Sequence, residues 1–167
     1  LSEPGVRCGF RRSGRMVTVK MPVKVTFDAT LSVTPPVAYI IPRNLMPDSA
    51  LHRLRLHGVI VEEAKAPASF DGVQAFSIDS MIKRGNPFQG HSEVRLEGTW
   101  RPGPPVSGLG DIYIVRTSQP LGVLAVELLE AQSDDGLITW NFFDAALDAA
   151  MKNPAGLRTF PVLRATK

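Results

Sequence analysis

The sequence has one cysteine, Cys8, three histidines and no apolar run long enough to cross a membrane. A lone cysteine rules out an internal disulfide and any cysteine-based metal site, and leaves the redox compartment undecided. The start of the chain carries neither an initiator Met nor an apolar signal core; a chain opening on Leu1-Ser2-Glu3-Pro4-Gly5 reads as a piece of something longer or a processed product. Charge is also modest. Nineteen Lys and Arg stand against sixteen Asp and Glu, a net charge of +3 with a pI near 9.3, too small an excess to argue for nucleic acid. The basic residues crowd the start (Arg7, Arg11, Arg12, Arg15, Lys20, Lys24), whereas Glu127, Glu130, Asp134, Asp135, Asp144 and Asp148 make the later part acidic. That asymmetry suits a solvated basic arm, or an interface with an acidic partner.

Reactive constellations are missing too. No His-x-x-Glu pair and no His-Glu-x-x-His helix motif occur. His52 and His57, five residues apart, would point about 140° away from each other on a helix, so they do not share an ion there. Gly-x-Ser-x-Gly is absent, Ser13 and Ser107 sit in loops without a leading apolar strand, and Cys8 lies in an irregular leader. Asp134-Asp135-Gly136 is above all a turn sequence, although paired carboxylates there could hold a cation. Trp140, Phe142 and Phe143 form the densest aromatic group, read as core or as a contact to a neighbouring domain; no basic residues interleave with them, which removes a nucleic-acid stacking role.

What is present suits one domain: 167 residues, 44% hydrophobic and 21% charged. Residues 1–15 read as an irregular lead-in and 16–167 as the domain. Val17, Val19, Met21, Val23, Val25 and Phe27 alternate with polar residues, predicting a strand restricted or split by Pro22, and a second run spans Ala29 to Val33. Val37 to Ile41, closed by Pro42, predicts a strand covered on both faces. Asp48 or Ser49 caps a helix carrying Ala50, Leu51 and Leu54 and ended by His57-Gly58. Val59 to Val61 resumes as a strand, making a strand-helix-strand unit with a parallel crossover and no phosphate-binding glycine loop.

Further strands are expected over Val73 to Ile78, Glu93 to Trp100, Ile112 to Val115 and Thr159 to Arg164, with loops at 83–91 and 102–110. Thr117 or Ser118 caps a nearly buried helix with Leu121, Leu124, Ala125, Leu128 and Leu129 on one face and Pro120 in its first turn. A weaker helix runs from Asp144 to Lys152. The fold class is α+β: one domain, a mainly antiparallel sheet, two main helices, with a sandwich-like arrangement left open.

Several stretches together carry a resemblance. They are Gly110 to Val115, Thr117-Ser118-Gln119-Pro120-Leu121-Gly122, Leu128-Leu129-Glu130 and Ser133 to Asp144, joined by Pro36 to Pro42, Leu54 to Val61, Pro87-Phe88-Gln89-Gly90-His91 and Phe160 to Arg164. In order and spacing this resembles the C-terminal region of bacterial zinc carboxypeptidases of the carboxypeptidase A-like class, from about residue 17 to the end. Ala131-Gln132 departs from it, since the family usually has a proline after Leu-Leu-Glu. The resemblance implies a non-catalytic C-terminal domain whose partner is the catalytic peptidase domain of the same polypeptide, with no nucleic acid or membrane partner. In the family the zinc belongs to the preceding catalytic domain, held by a His-x-x-Glu pair and a distant His, with a Glu as general base. None of those roles falls on a residue here, so no catalytic, cofactor-binding or metal residue is assigned in this chain. Hydrolase activity would belong to the parent enzyme, and the resemblance implies a periplasmic or secreted location. The competing expectation is an independent module binding peptide or glycan through loops 83–91 and 102–110.

Overall fold

The computed structural model describes residues 14–26, 28–29, 32–65, 70–152 and 158–167. By contacts the chain divides into two units, Leu1–Val33 and Thr34–Lys167. The described residues of the first carry no helix and no strand. The strand expected over 16–27 is therefore corrected for its described residues: Met16 is 97% exposed, and Val17, Val19, Met21, Val23 and Val25 are exposed as well. Alternation prepares a strand to bury one face, but a single strand needs a paired neighbour before its backbone is stable, and no ladder includes this segment. Phe27 and part of the Ala29 to Val33 run lie outside the described residues.

The second unit is α+β. Its six strands are β1 (Ala38–Pro42), β2 (Glu62–Lys65), β3 (Val73–Lys83), β4 (Val94–Pro102), β5 (Asp111–Arg116) and β6 (Thr159–Ala165). Its helices are α1 (Asp48–Leu56), α2 (Gly122–Leu129) and α3 (Asp144–Met151). One sheet in the order β2-β5-β1-β6-β3-β4 contains all six, with every neighbour antiparallel. β1 and β2 both run against β5, so they are parallel to each other and α1 is the crossover the sequence predicts. In the same way β5 and β6 flank β1, and α2 and α3 lie in their connection.

Both crossovers place their helices on one face. There Tyr39, Ile41, Phe76, Tyr113, Val115, Phe160 and Val162 from the strands meet Ala50 and Leu54 of α1, Ala125, Leu128 and Leu129 of α2, and Leu147 of α3. Alternation along the same strands sends Ala38, Ile40, Ala75, Ile112, Ile114 and Leu163 to the reverse face, where Val106 and Leu109 pack on them. β1, with every residue buried, is covered on both sides as its continuous apolar run requires.

Several boundaries differ from the sequence reading. α1 starts with Asp48 in its first turn after Pro47, without a side-chain cap, so Asp48 acts on the helix dipole and not as the cap. Gly58, at φ +83°, closes α1 as expected, and Val59 N–H donates to the Leu54 carbonyl at 3.0 Å. Ile60 is then held by the Gln119 side chain, its N–H donating to Oε1 at 2.7 Å and its carbonyl accepting from Nε2 at 3.1 Å, and β2 begins only at Glu62. α2 begins at Gly122 without a side-chain cap, because the Thr117 hydroxyl donates to the Pro36 carbonyl at 2.5 Å. α2 is less buried than expected: Val123 is exposed, while Leu128 and Leu129 are buried.

Two substitutions probe this packing. Leu128→Ala removes a buried side chain from the main core and should lower stability by roughly 2–5 kcal/mol in urea denaturation. A Cβ at Gly98 would lie 2.0 Å from the Ser77 carbonyl oxygen, beside the register shift between Ile78 and Ser80. Gly98→Ala should therefore cost about 1–3 kcal/mol, whereas Gly85→Ala, with nothing within 4 Å, should leave the midpoint nearly unmoved.

Candidate functional site

The helix-facing side of the two central strands holds one charged group in the core. Tyr39 on β1 stands directly opposite Arg164 on β6, and Glu130 caps the C-terminus of α2. The Tyr39 hydroxyl donates to Glu130 Oε1. Arg164 donates from Nε to Oε1 at 2.8 Å and from Nη2 to Oε2. The Arg164 guanidinium also lies 3.9 Å from the centroid of the Trp100 ring, a cation–π contact. Glu130 is 4% exposed and Tyr39 wholly buried.

A carboxylate with three donors is electrically and sterically satisfied, which suits it to holding elements together rather than to moving protons. Burial pushes the Tyr39 hydroxyl above the ordinary tyrosine value, and its hydrogen bond to Glu130 pushes it further the same way. Three of the stretches behind the resemblance, 36–42, 128–130 and 160–164, supply one residue each. No sequence motif marks any of the three as functional. The signal was there, in charged residues closing the apolar runs Leu128-Leu129 and Val162-Leu163.

Two more of those stretches meet at the tip of the β3–β4 hairpin. Phe88 and His91 exchange backbone hydrogen bonds at 2.9 Å, and the turn between them places Gln89 at φ +50° and Gly90 at φ +84°, the left-handed pair that a type I′ turn needs. Asn141 sits at φ +70°; its Nδ2 donates to the Ser92 carbonyl at 2.8 Å, and its Oδ1 lies 3.3 Å from His91 Nδ1. The Trp140 ring meets His91 edge to face at 5.8 Å and lies 6.4 Å from Phe88, while its Nε1 donates to Asp135 at 2.5 Å.

Gln89 and Asn141 are the non-glycine residues at positive φ among those described, and both support this aromatic cluster. Such backbone costs free energy and persists where neighbours over-determine it. Phe88 is nevertheless 52% exposed. Lys83 pairs with Asp144 at 3.5 Å and Asp148 at 3.4 Å, tying the hairpin to α3. Partial desolvation opposes the Lys83 charge, but the two carboxylates outweigh it and raise its pKa.

The remaining candidates do not assemble into a reactive centre. His52 and His57 are exposed on and just after α1, and His91 is at the hairpin tip. No group of three His, Cys, Asp or Glu placed to hold a metal occurs among the described residues. Asp134 pairs with Arg95 at 2.9 Å and Asp135 holds Trp140, so the Asp-Asp-Gly segment is a turn whose carboxylates have structural partners. Phe143 packs edge to face on Phe160 in the core. Cys8 and Ser13 lie outside the described residues. Loops 83–91 and 102–110 fall at opposite ends of the β3–β4 ladder, which pairs Gln74 with Pro102 and Lys83 with Val94. At about 3.4 Å per residue the two ends are on the order of 30 Å apart, so they do not form one binding surface. No family model, curated protein or solved structure matches the chain.

Glu130→Gln removes the charge opposite the buried Arg164 guanidinium and should destabilise the fold by about 3–5 kcal/mol. Tyr39 gives a pH test. Its raised folded pKa contributes stability that is fully present below the ordinary value of 10.0 and lost as pH rises above it. Above pH 10 the unmodified protein should thus lose stability more steeply than Tyr39→Phe in parallel denaturant titrations, and parallel curves would contradict this role.

Proposed function

We propose that this chain is the accessory, non-catalytic C-terminal domain of a zinc metallocarboxypeptidase of the carboxypeptidase A-like class, packing on and supporting a peptidase domain of the same polypeptide. In this reading the zinc and the hydrolytic residues belong to that peptidase domain, and this chain supplies a rigid surface. The observation that carries it is the hairpin tip. Phe88, His91 and Trp140, from two of the stretches on which the resemblance rests, are gathered beside the positive-φ residues Gln89 and Asn141 with Phe88 half in solvent. A strained support for an outward aromatic group is unexplained by core packing and suits a contact with another folded domain.

The same tip also suits the second reading, a module that binds peptide or glycan by aromatic stacking, though with loop 83–91 alone. The test has two arms. The chain supplied with zinc and a peptide bearing a free C-terminus should release no amino acid; chelator-sensitive hydrolysis that survives repurification would overturn the non-catalytic role. In a polypeptide joining the peptidase domain to this chain, Phe88→Ser should lower the unfolding temperature of the peptidase domain by a few degrees. An unchanged unfolding temperature would favour the module.

A further inference from the structure

Beside the 103–110 segment the reverse face of the sheet holds a cleft of about 540 Å³. Its floor is apolar and buried: Ala75, Pro161 and Leu163. Leu109 and Pro104 contribute to the lining from the 103–110 segment, and Ser77 and Thr159 add hydroxyl groups. Arg101 is the charged side chain among the lining residues.

Arg101 differs from most arginines of this unit. Arg43, Arg55, Arg84, Arg95, Arg116 and Arg164 all pair with carboxylates. Among the described residues Arg101 forms no ion pair; its Nε donates to the Thr99 hydroxyl at 3.3 Å. A guanidinium with unmatched charge over an apolar cleft is complementary to one kind of ligand, a single anionic head on an apolar body. The volume falls within the range of small-molecule sites, about 300–1,000 Å³.

The lining also discriminates between apolar anions. Pro42, Pro102, Pro104 and Pro161 all contribute to it, and none has a backbone N–H. Beneath, β3 and β6 pair at Ala75–Leu163 and at Ser77–Thr159, with a register shift between the two pairs. A peptide laid in the cleft would meet four residues that cannot donate to its carbonyls, and burying amide groups unpaired is costly. An alkyl chain has no such requirement.

We infer that this cleft binds an alkyl carboxylate, its chain lying on the floor of Ala75, Pro161 and Leu163 and its carboxylate held by the Arg101 guanidinium. The site is independent of any role for the hairpin tip and of the assignment to a peptidase.

Decanoate serves as the probe, with decanol and decyltrimethylammonium as head-group controls, in isothermal titrations below their micellar concentrations. Decanoate should bind at one site and more tightly than either control. Arg101→Gln should weaken decanoate by about tenfold or more, the scale of one charge-assisted hydrogen bond, while leaving decanol unchanged. Ser77→Phe, which fills the cleft, should abolish binding of both. Unaltered circular dichroism and melting temperature establish that each variant is folded, and Thr99→Ala serves as a neighbouring control expected to bind normally. Decanoate affinity insensitive to Arg101→Gln or to Ser77→Phe, or equal affinity for the cationic amphiphile, would overturn the assignment. So would tighter binding of an apolar peptide with a free C-terminus, which would make the occupant a peptide.

Discussion

The carboxylate of Glu130 links the two central strands of the sheet to the helix layer. It lies at the end of α2, and its three donors come from Tyr39 on β1 and Arg164 on β6. β1 and β6 pair in the middle of the sheet although they stand near the two ends of the second unit. That long-range closure gains little until both strands and the helix are in place. A buried ion pair adds little net stability compared with apolar packing, but it penalises any register that leaves one charge unmatched. Slipping β6 by one residue would turn Arg164 to the reverse face and put Leu163 opposite Tyr39. The buried pair thus selects one register among those that apolar alternation alone would allow.

The hairpin tip and the reverse-face cleft lie at opposite ends of the β3–β4 ladder. The tip is aromatic and braced by the Asn141 side chain on the Ser92 carbonyl, which suits contact with a folded surface. At the other end, a proline-rich wall offers apolar area and one unmatched cation, which suits a small amphiphile. An antiparallel hairpin of this length keeps the two apart, so each surface can be altered without disturbing the other. Gly98, which sits between them where the ladder shifts register, lets the β3 and β4 backbones approach closely enough for the hairpin to continue past the bulge.

Much of the second unit was legible from pattern alone. The apolar run at 37–41, the alternation at 93–100, the strand at 112–115 and Gly58 after α1 all report local constraints that the fold obeys. The readings that failed depended on a partner. Residues 16–25 have the alternation of a strand and no neighbour to pair with. Thr117 resembles a helix cap, but its hydroxyl reaches Pro36, far away in the chain, and α2 starts five residues later. For the candidate sites, Phe88, His91 and the Trp140 group lie in separate stretches of the sequence. Nothing local indicated that the hairpin turn would fold against Trp140, or that Asn141 would brace it. No local pattern marks Arg101, because its significance rests on carboxylates that are not near it.

The sequence by itself determined the α+β class, the antiparallel character of the sheet, most strand positions and the left-handed glycine that ends α1, because those follow from side-chain period and backbone sterics over a few residues. Only the tertiary structure decided which strands lie in the centre, that Tyr39, Glu130 and Arg164 form one buried group, and that Arg101, with no ion pair among the described residues, lines an apolar cleft. These depend on contacts across 34 to 91 residues of chain. A local pattern carries no information about which distant group will neutralise a charge, or fail to.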